Sequence, residues 1–323
     1  MIRVDCDKYL GDILSSDCSN DLNIDKKVAK GIGIVAQIMA LLSEISLGCH
    51  YFEIALIMRE SLFINGIFTN MEVAYDLTEA QITRLEEVDK ILLRKILNAH
   101  SKTPRESLYL ETGTIPLRYL IKSRRIMYLH HILTRKPDAL LLQTFQAQNK
   151  FPVKGDWSLT VADNLNELDI NLNYDTIKKL SKRTFKKYLR QKVMQSAFRH
   201  LMEEKNVHTK MDNISYSKLE TQKYLLSKTM FPEISKFLYK CRTRMLDVKC
   251  NFKNLYKCLL CPLCEKEEDS QEHIMNCEII NDGENENEYL DIFGTNIEKQ
   301  VKVARVLMEA LEERRKIIEA SDS

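Results

Sequence analysis

The chain has 323 residues, a formal net charge of +2 and 44% hydrophobic side chains, the composition of a folded protein long enough for two or three compact units. The N-terminus, Met-Ile-Arg-Val-Asp-Cys-Asp-Lys, is too charged for a secretory signal, and the most apolar stretch, Tyr51 to Phe68, carries Glu53, Arg59 and Glu60. The expectation is a soluble intracellular protein, of nucleus or cytoplasm, whose nine cysteines favour metal binding over a disulfide framework.

An extended piece, Lys8 to Leu14, opens the chain and leads into a Ser/Asp/Asn-rich loop. A strand this short needs a partner and nothing strongly strand-like follows, so it is expected to be the remnant of a sheet that the chain lacks. Helices then take over. Val28, Ile32, Val35, Met39, Leu42 and Ile45 recur at three- and four-residue steps, which predicts an amphipathic helix with Gly48 near its end. The next helix, Tyr51 to Ile64, is apolar nearly all round and is expected to be central.

Thr78-Glu-Ala-Gln81 has the pattern of a capping box, and Ile82, Leu85, Val88, Leu92 and Ile96 mark one face of the helix it opens. Thr103, Pro104 and Glu106 have N-cap, N1 and N3 spacing, and Gly113 can stop that helix. Pro116 begins another. Leu117, Leu120, Ile121, Met127 and Tyr128 would face its core, while Arg118, Lys122 and Arg125 form a basic stripe at i, i+4 and i+7. Taken alone, such a stripe reads as an ordinary solvated face before it reads as a binding surface.

Phe151-Pro-Val-Lys-Gly-Asp-Trp157 interrupts the helical pattern and reads as a domain boundary, with Trp157 as a packing anchor. Beyond it, Lys178, Lys179, Lys182, Arg183, Lys186, Lys187, Arg190 and Lys192 crowd together with no acid among them, and Phe185 and Tyr188 are interleaved. Such density repels itself unless an anion sits nearby, and a phosphate backbone is the natural partner. Contacts of this kind give affinity without sequence choice. Phe185 and Tyr188 could stack on the bases of a single strand, or else pack in the core. After Met211 to Leu226, read as a further helix, Arg242 and Arg244 are additional candidate phosphate contacts.

The most specific signal is Cys258-Leu-Leu-Cys261-Pro-Leu-Cys264 followed by His273-Ile-Met-Asn-Cys277. The two-residue gap between Cys261 and Cys264 lets a tight turn aim both thiolates at one point. His273 and Cys277, four apart, would share one helical face. Asp269 and Glu272 have N-cap and N3 spacing for that helix. The set predicts a closed Cys3His zinc site with no open position for substrate, with Cys258 an alternative to Cys264. From Glu265 to Asp291 eleven acids stand against one Lys, a poor nucleic-acid surface. A closing helix, Ile297 to about Ile318, carries Val301, Ala304, Leu307 and Leu311 on one face. The expectation is therefore a mainly α protein: a helical domain at 1–150 with a short N-terminal strand remnant, a basic helical connector at 151–238, a zinc knuckle at 239–282 and a C-terminal helix at 283–323.

Tyr9-Leu10-Gly11, Thr103-Pro-Arg-Glu-Ser-Leu-Tyr-Leu110, Arg124-Arg125 with Tyr128-Leu129-His130, Lys154-Gly-Asp-Trp157, Arg242-Thr-Arg244 and the Cys/His motif run in an order that resembles the C-terminal third of a non-LTR retrotransposon (LINE-like) reverse transcriptase. The resemblance implies a thumb, a basic connector and a zinc knuckle that grip template RNA, primer and target DNA. The family's polymerase centre needs a Tyr-X-Asp-Asp element whose carboxylates hold two metal ions, and this chain has no Asp-Asp pair. The resemblance thus implies a nucleic-acid-binding part without polymerase activity of its own. Two other functions compete: a zinc-stabilised protein-interaction adaptor, and a metal-dependent nuclease using Asp163, Glu167 and Asp169.

Overall fold

The computed structural model describes residues 6–9, 12–15, 19–44, 47–74, 77–280 and 289–321. Leu10, Gly11, Ile45 and the acids Asp282, Glu284, Glu286 and Glu288, all used in the sequence reading, lie outside them. The protein is mainly α. A hairpin of β1 (Cys6–Tyr9) and β2 (Asp12–Ser15) precedes α1 (Asp21–Glu44), α2 (Tyr51–Met58), a π-helical turn (Arg59–Ile64) and α3 (Asn65–Ile67). Then come α4 (Glu79–Leu97), α5 (Arg105–Thr112), α6 (Leu117–Leu133), α7 (Leu140–Lys150), α8 (Trp157–Glu167), α9 (Tyr174–Lys179) and α10 (Lys182–Lys205). The last three are α11 (Pro232–Arg242), α12 (Gln271–Asn276) and α13 (Ile297–Ser321). Two compact units divide the chain, and neither is continuous: Met1–Glu44, Leu56–Leu92 and Thr114–Met202 form one, and Ile45–Ala55, Leu93–Gly113 and Glu203–Ser323 the other.

In the first unit, β1 and β2 pair with each other, Cys6 opposite Ser15 and Tyr9 opposite Asp12, so the expected lone strand is a self-paired antiparallel hairpin. Helix α1 buries Ile24, Lys27, Gly31, Val35, Ile38 and Leu42. That seam shares only Val35 and Leu42 with the expected one, and Ile32 is exposed. Gly31 sets this orientation: a Cβ there would lie 3.1 Å from Val88 and 3.3 Å from Ile67, so the seam follows the position where neighbouring side chains come closest. The capping box of α4 is present, Thr78 N–H donating to Gln81 Oε1 (3.0 Å) and Gln81 N–H to Thr78 Oγ1 (3.2 Å). Its expected face, from Ile82 to Ile96, is buried.

The stretch expected to be central is only half so, since Ile57 and Leu62 are exposed. Its π-helical turn instead carries Arg59 into the interior, fully buried, with Nε and Nη2 donating to both oxygens of Asp89 at 2.7 Å. This two-pronged geometry makes a buried pair tolerable. The 151–156 segment lies inside this unit as the link between α7 and α8. Trp157 anchors it, its indole N–H donating to Glu72 O (2.9 Å) and its ring edge-on to Tyr128 and Phe145.

In the second unit α5 starts one residue later than expected: Pro104 is its N-cap, and the Thr103 hydroxyl is buried without a hydrogen-bond partner among the described residues. Gly113 ends it with φ +65°, donating to Tyr109 O, and a Cβ there would strike Thr221 N at 2.1 Å. That contact permits the bridge between Thr112 and Thr221. The expected helix from Met211 to Leu226 is absent; short 3-10 turns at Thr209–Met211 and Lys223–Leu225 flank irregular chain. Its Asp, Asn and Ser residues offer the backbone competing hydrogen bonds. Helix α13 packs on α11 and α12 through Gln300, Val303, Ala304, Leu307, Ala310 and Arg314. Val301 and Leu311 are only half-buried, so the seam is turned from the expected one.

Candidate metal centre and basic face

Local chain geometry builds the Cys/His cluster. A bridge between Leu260 and Glu268, with Cys261 N–H donating to Glu267 O (2.7 Å) and Asp269 N–H to Leu259 O (2.7 Å), closes a narrow hairpin. At its tip Glu265 N–H donates to Cys261 O (3.1 Å) and Glu265 adopts φ +56°, so Cys261 and Cys264 turn to the same side. Ser270, not Asp269, caps α12, accepting from His273 N–H at 3.0 Å. Asp269 is instead buried, taking Lys249 N–H and Arg314 Nη2 at 2.8 Å each. Helix α12 carries His273 and ends at Asn276, and Cys277 is its extended C-cap.

One ligand atom from each of Cys261, Cys264, His273 and Cys277 lies within 4.8 Å of all the others. Cys261 Sγ is 3.9 Å from Cys277 Sγ, and Cys264 Sγ is 3.3 Å from His273 Nε2. A tetrahedral metal bound at thiolate distances requires sulfurs about 3.8 Å apart. His273 Nδ1 lies 3.0 Å from Glu267 Oε2, which leaves Nε2 for the centre. Burial raises the Cys264 thiol, but N–H groups of Lys266 and Glu267, with Cys261 and His273, more than offset it and bring its pKa down to about 7. Burial, with the Cys261 charge, pushes Cys277 up to about 11. These four side chains could hold a metal ion, with three soft sulfurs and one imidazole. Cys258 is exposed and outside the cluster.

The basic segment occupies α9, the Leu180-Ser181 link and the first half of α10. Ser181 Oγ accepts from Thr184 N–H (3.2 Å) and starts α10. Phe185, Leu189, Val193, Ala197 and Leu201, four apart, are buried, and this leaves Lys182, Arg183, Lys186, Lys187 and Arg190 outward. With Lys178 and Lys179 they make seven exposed cations, none in an ion pair among the described residues. Lys192 is half-buried and donates to Asp169 O at 2.8 Å. Phe185 is no stacking platform, being fully buried and stacked on His130 at 5.1 Å; Tyr188 is half-buried.

The other sequence-selected cations are paired or buried within the protein. Arg118 binds Glu86 through Nε (3.0 Å) and Nη2 (2.9 Å). Lys122 pairs with Glu167. Arg125 is 4% exposed, its Nε and Nη2 lack hydrogen-bond partners among the described residues, and burial lowers its pKa to about 10 despite nearby Glu167. Arg242 is buried, donates to Glu111 Oε1 (3.0 Å) and Ile292 O (2.8 Å), and lies over the Tyr224 ring. Arg244 pairs with Glu272 at 2.7 Å. The stripe on α6 is therefore not an open surface. The nuclease carboxylates Asp163, Glu167 and Asp169 do not form a metal-holding group among the described residues: Glu167 meets Lys122, and Asp169 meets Arg199 at 2.9 Å.

A groove of about 740 Å³ adjoins the basic face and was not foreseen from sequence. Lys182, Arg124, Tyr128, His131 and Thr134 line it, and the Tyr128 and His131 rings are stacked 5.8 Å apart. Their i, i+3 spacing on α6 was the available signal. No helix among the described residues is long and apolar enough to cross a membrane. No protein-family profile, no curated protein and no solved structure matches the chain.

Proposed function

We propose that this protein is a nucleic-acid-binding module that grips a phosphate backbone through Lys178, Lys179, Lys182, Arg183, Lys186, Lys187 and Arg190, and that its Cys/His cluster holds zinc. The observation that carries the first part is that these seven side chains are exposed on two consecutive helices, α9 and α10, and have no ion-pair partners among the described residues. From Lys182 to Arg190 the charged face is about 12 Å long on a helix rising ~1.5 Å per residue. Each phosphate it neutralises releases condensed counterions, which supplies affinity without reading sequence. The neighbouring groove, with Tyr128 and His131, suits an unstacked base of a single strand.

Zinc is proposed because three thiolates and one imidazole form a closed set of four, which stabilises structure and leaves no position for substrate. The order of motifs supports assigning the chain to the C-terminal region of a non-LTR retrotransposon reverse transcriptase, gripping template, primer or target DNA without polymerase chemistry of its own. Titration of the purified protein with duplex DNA, single-stranded RNA and hybrid at several salt concentrations tests the binding. Binding to at least one of them that weakens steeply with salt is expected. No salt-dependent binding to any at low ionic strength overturns it in favour of a zinc-stabilised adaptor.

A further inference from the structure

The second unit contains a cavity of about 650 Å³ that neither the Cys/His cluster nor the basic face uses. One wall is the 3-10 segment Lys249–Leu255, whose regular turn is broken at Phe252 (φ −131°, ψ 44°). Asn251 fixes that break, its amide donating to Leu246 O (2.8 Å) and Gln271 Oε1 (3.0 Å). Lys102, Lys210, Arg244 and Lys253 line the cavity, opposed by one carboxylate, Glu268.

Arg244 is paired with Glu272, but Lys102, Lys210 and Lys253 make no ion pair among the described residues. The half-buried Phe252 ring lies among them, its centroid 5.4 Å from Lys210 Nζ and 6.0 Å from Lys102 Nζ. His100 adds a second ring at 5.2 Å. Burial, and then the charge of Lys102, lowers the pKa of Lys210. Lys210 Nζ donates to Asn251 O at 2.8 Å, which fixes it beside the ring; the charge that it and Lys102 leave around one aromatic ring is better balanced by an anion than by water.

We infer that this cavity binds one nucleotide unit, its phosphate between Lys102 and Lys210 and its base against Phe252. The ligand needs both a negative group and a π-face, because the cavity offers cations and an aromatic wall together. An acidic side chain would satisfy only the first. The site is independent of the face on α9 and α10, since it shares no residue with it. Two sources supply the same chemistry: a free nucleoside monophosphate, or the 5′-phosphorylated end of a strand.

Calorimetry on the whole 323-residue chain, metal-replete, distinguishes them, using adenosine 5′-monophosphate, adenosine, inorganic phosphate, and one tetranucleotide with either a 5′-phosphate or a 5′-hydroxyl. The oligonucleotides are titrated into the Lys186→Ala, Lys187→Ala, Arg190→Ala variant, so that binding at the basic face does not mask the cavity. The monophosphate should bind more tightly than adenosine or phosphate if the ligand is free nucleotide; a gain that depends on the 5′-phosphate, without monophosphate binding, assigns the strand end. In either case Lys102→Gln with Lys210→Gln should cost at least about tenfold. Phe252→Leu should cost a further fold-change of about ten through lost stacking, with phosphate affinity unchanged. Lys102→Glu, at an exposed position, provides a second variant should Lys210 prove necessary for folding, and melting temperatures report on that. Equal affinities in wild type and charge variants, or no dependence on the phosphate in any probe, overturn the inference.

Discussion

The basic face and the Cys/His cluster are both conspicuous in sequence, but they relate to the fold in opposite ways. The face is laid on a helix whose stability comes from Phe185, Leu189 and Val193 behind it, so its charges are free of structural duty. The cluster is the local fold: its hairpin, the capped turn of α12 and the buried Asp269–Arg314 pair surround four side chains drawn to one point. Residues carried by a scaffold can be changed at little structural cost, whereas residues that constitute it cannot.

The largest effect should come from the cluster. Structural zinc contributes about 10–16 kcal/mol of apparent binding energy in small finger peptides at pH 7, so chelation should release the metal and melt the 259–277 region. Elemental analysis with amide exchange checks this; protection unchanged after metal loss would break the comparison from one side. Acidification should act the same way, since protons compete with the proposed zinc for the thiolates and the imidazole.

Next comes Arg242, a cation that resembles those of the face in sequence but serves the interior. Arg242→Ala leaves the buried Glu111 without its charge partner, with the Tyr216 hydroxyl still donating to it at 2.6 Å, and should lower stability by about 3–5 kcal/mol in urea denaturation. The smallest effect belongs to the face: Lys186→Ala, Lys187→Ala and Arg190→Ala should each change stability by no more than about 0.5 kcal/mol. A large loss there would show that these charges serve the fold after all.

What was legible in the sequence depended on separation along the chain. The four cluster residues fall within one short stretch, so the elements that bring them together, the hairpin and α12, are local. The capping box at Thr78–Gln81 and the face of α4 are equally local. Arg118 and Arg242 could not be read, because their partners Glu86 and Glu111 lie 32 and 131 residues away. Nothing in a charge's neighbours announces a carboxylate that arrives by folding. The seams of α1 and α13 were only partly read, sharing Val35 and Leu42 in one and Ala304 and Leu307 in the other, because the closest approach, as at Gly31, is set by the neighbouring helix. Asp269 fitted the N-cap pattern, yet Ser270 caps and Asp269 holds Arg314.

The most direct test is the salt dependence of binding in three proteins measured together: wild type, the Lys186→Ala, Lys187→Ala, Arg190→Ala triple variant, and Lys122→Ala from the neutralised stripe. Wild type should show a steep log–log slope on duplex DNA, at about −0.9 for each phosphate contact. The triple variant should weaken on every sequence alike, and its slope should be shallower by up to about three charges, while Lys122→Ala keeps the wild-type slope. A triple variant with unchanged affinity and slope would contradict the assignment of this face to a phosphate backbone.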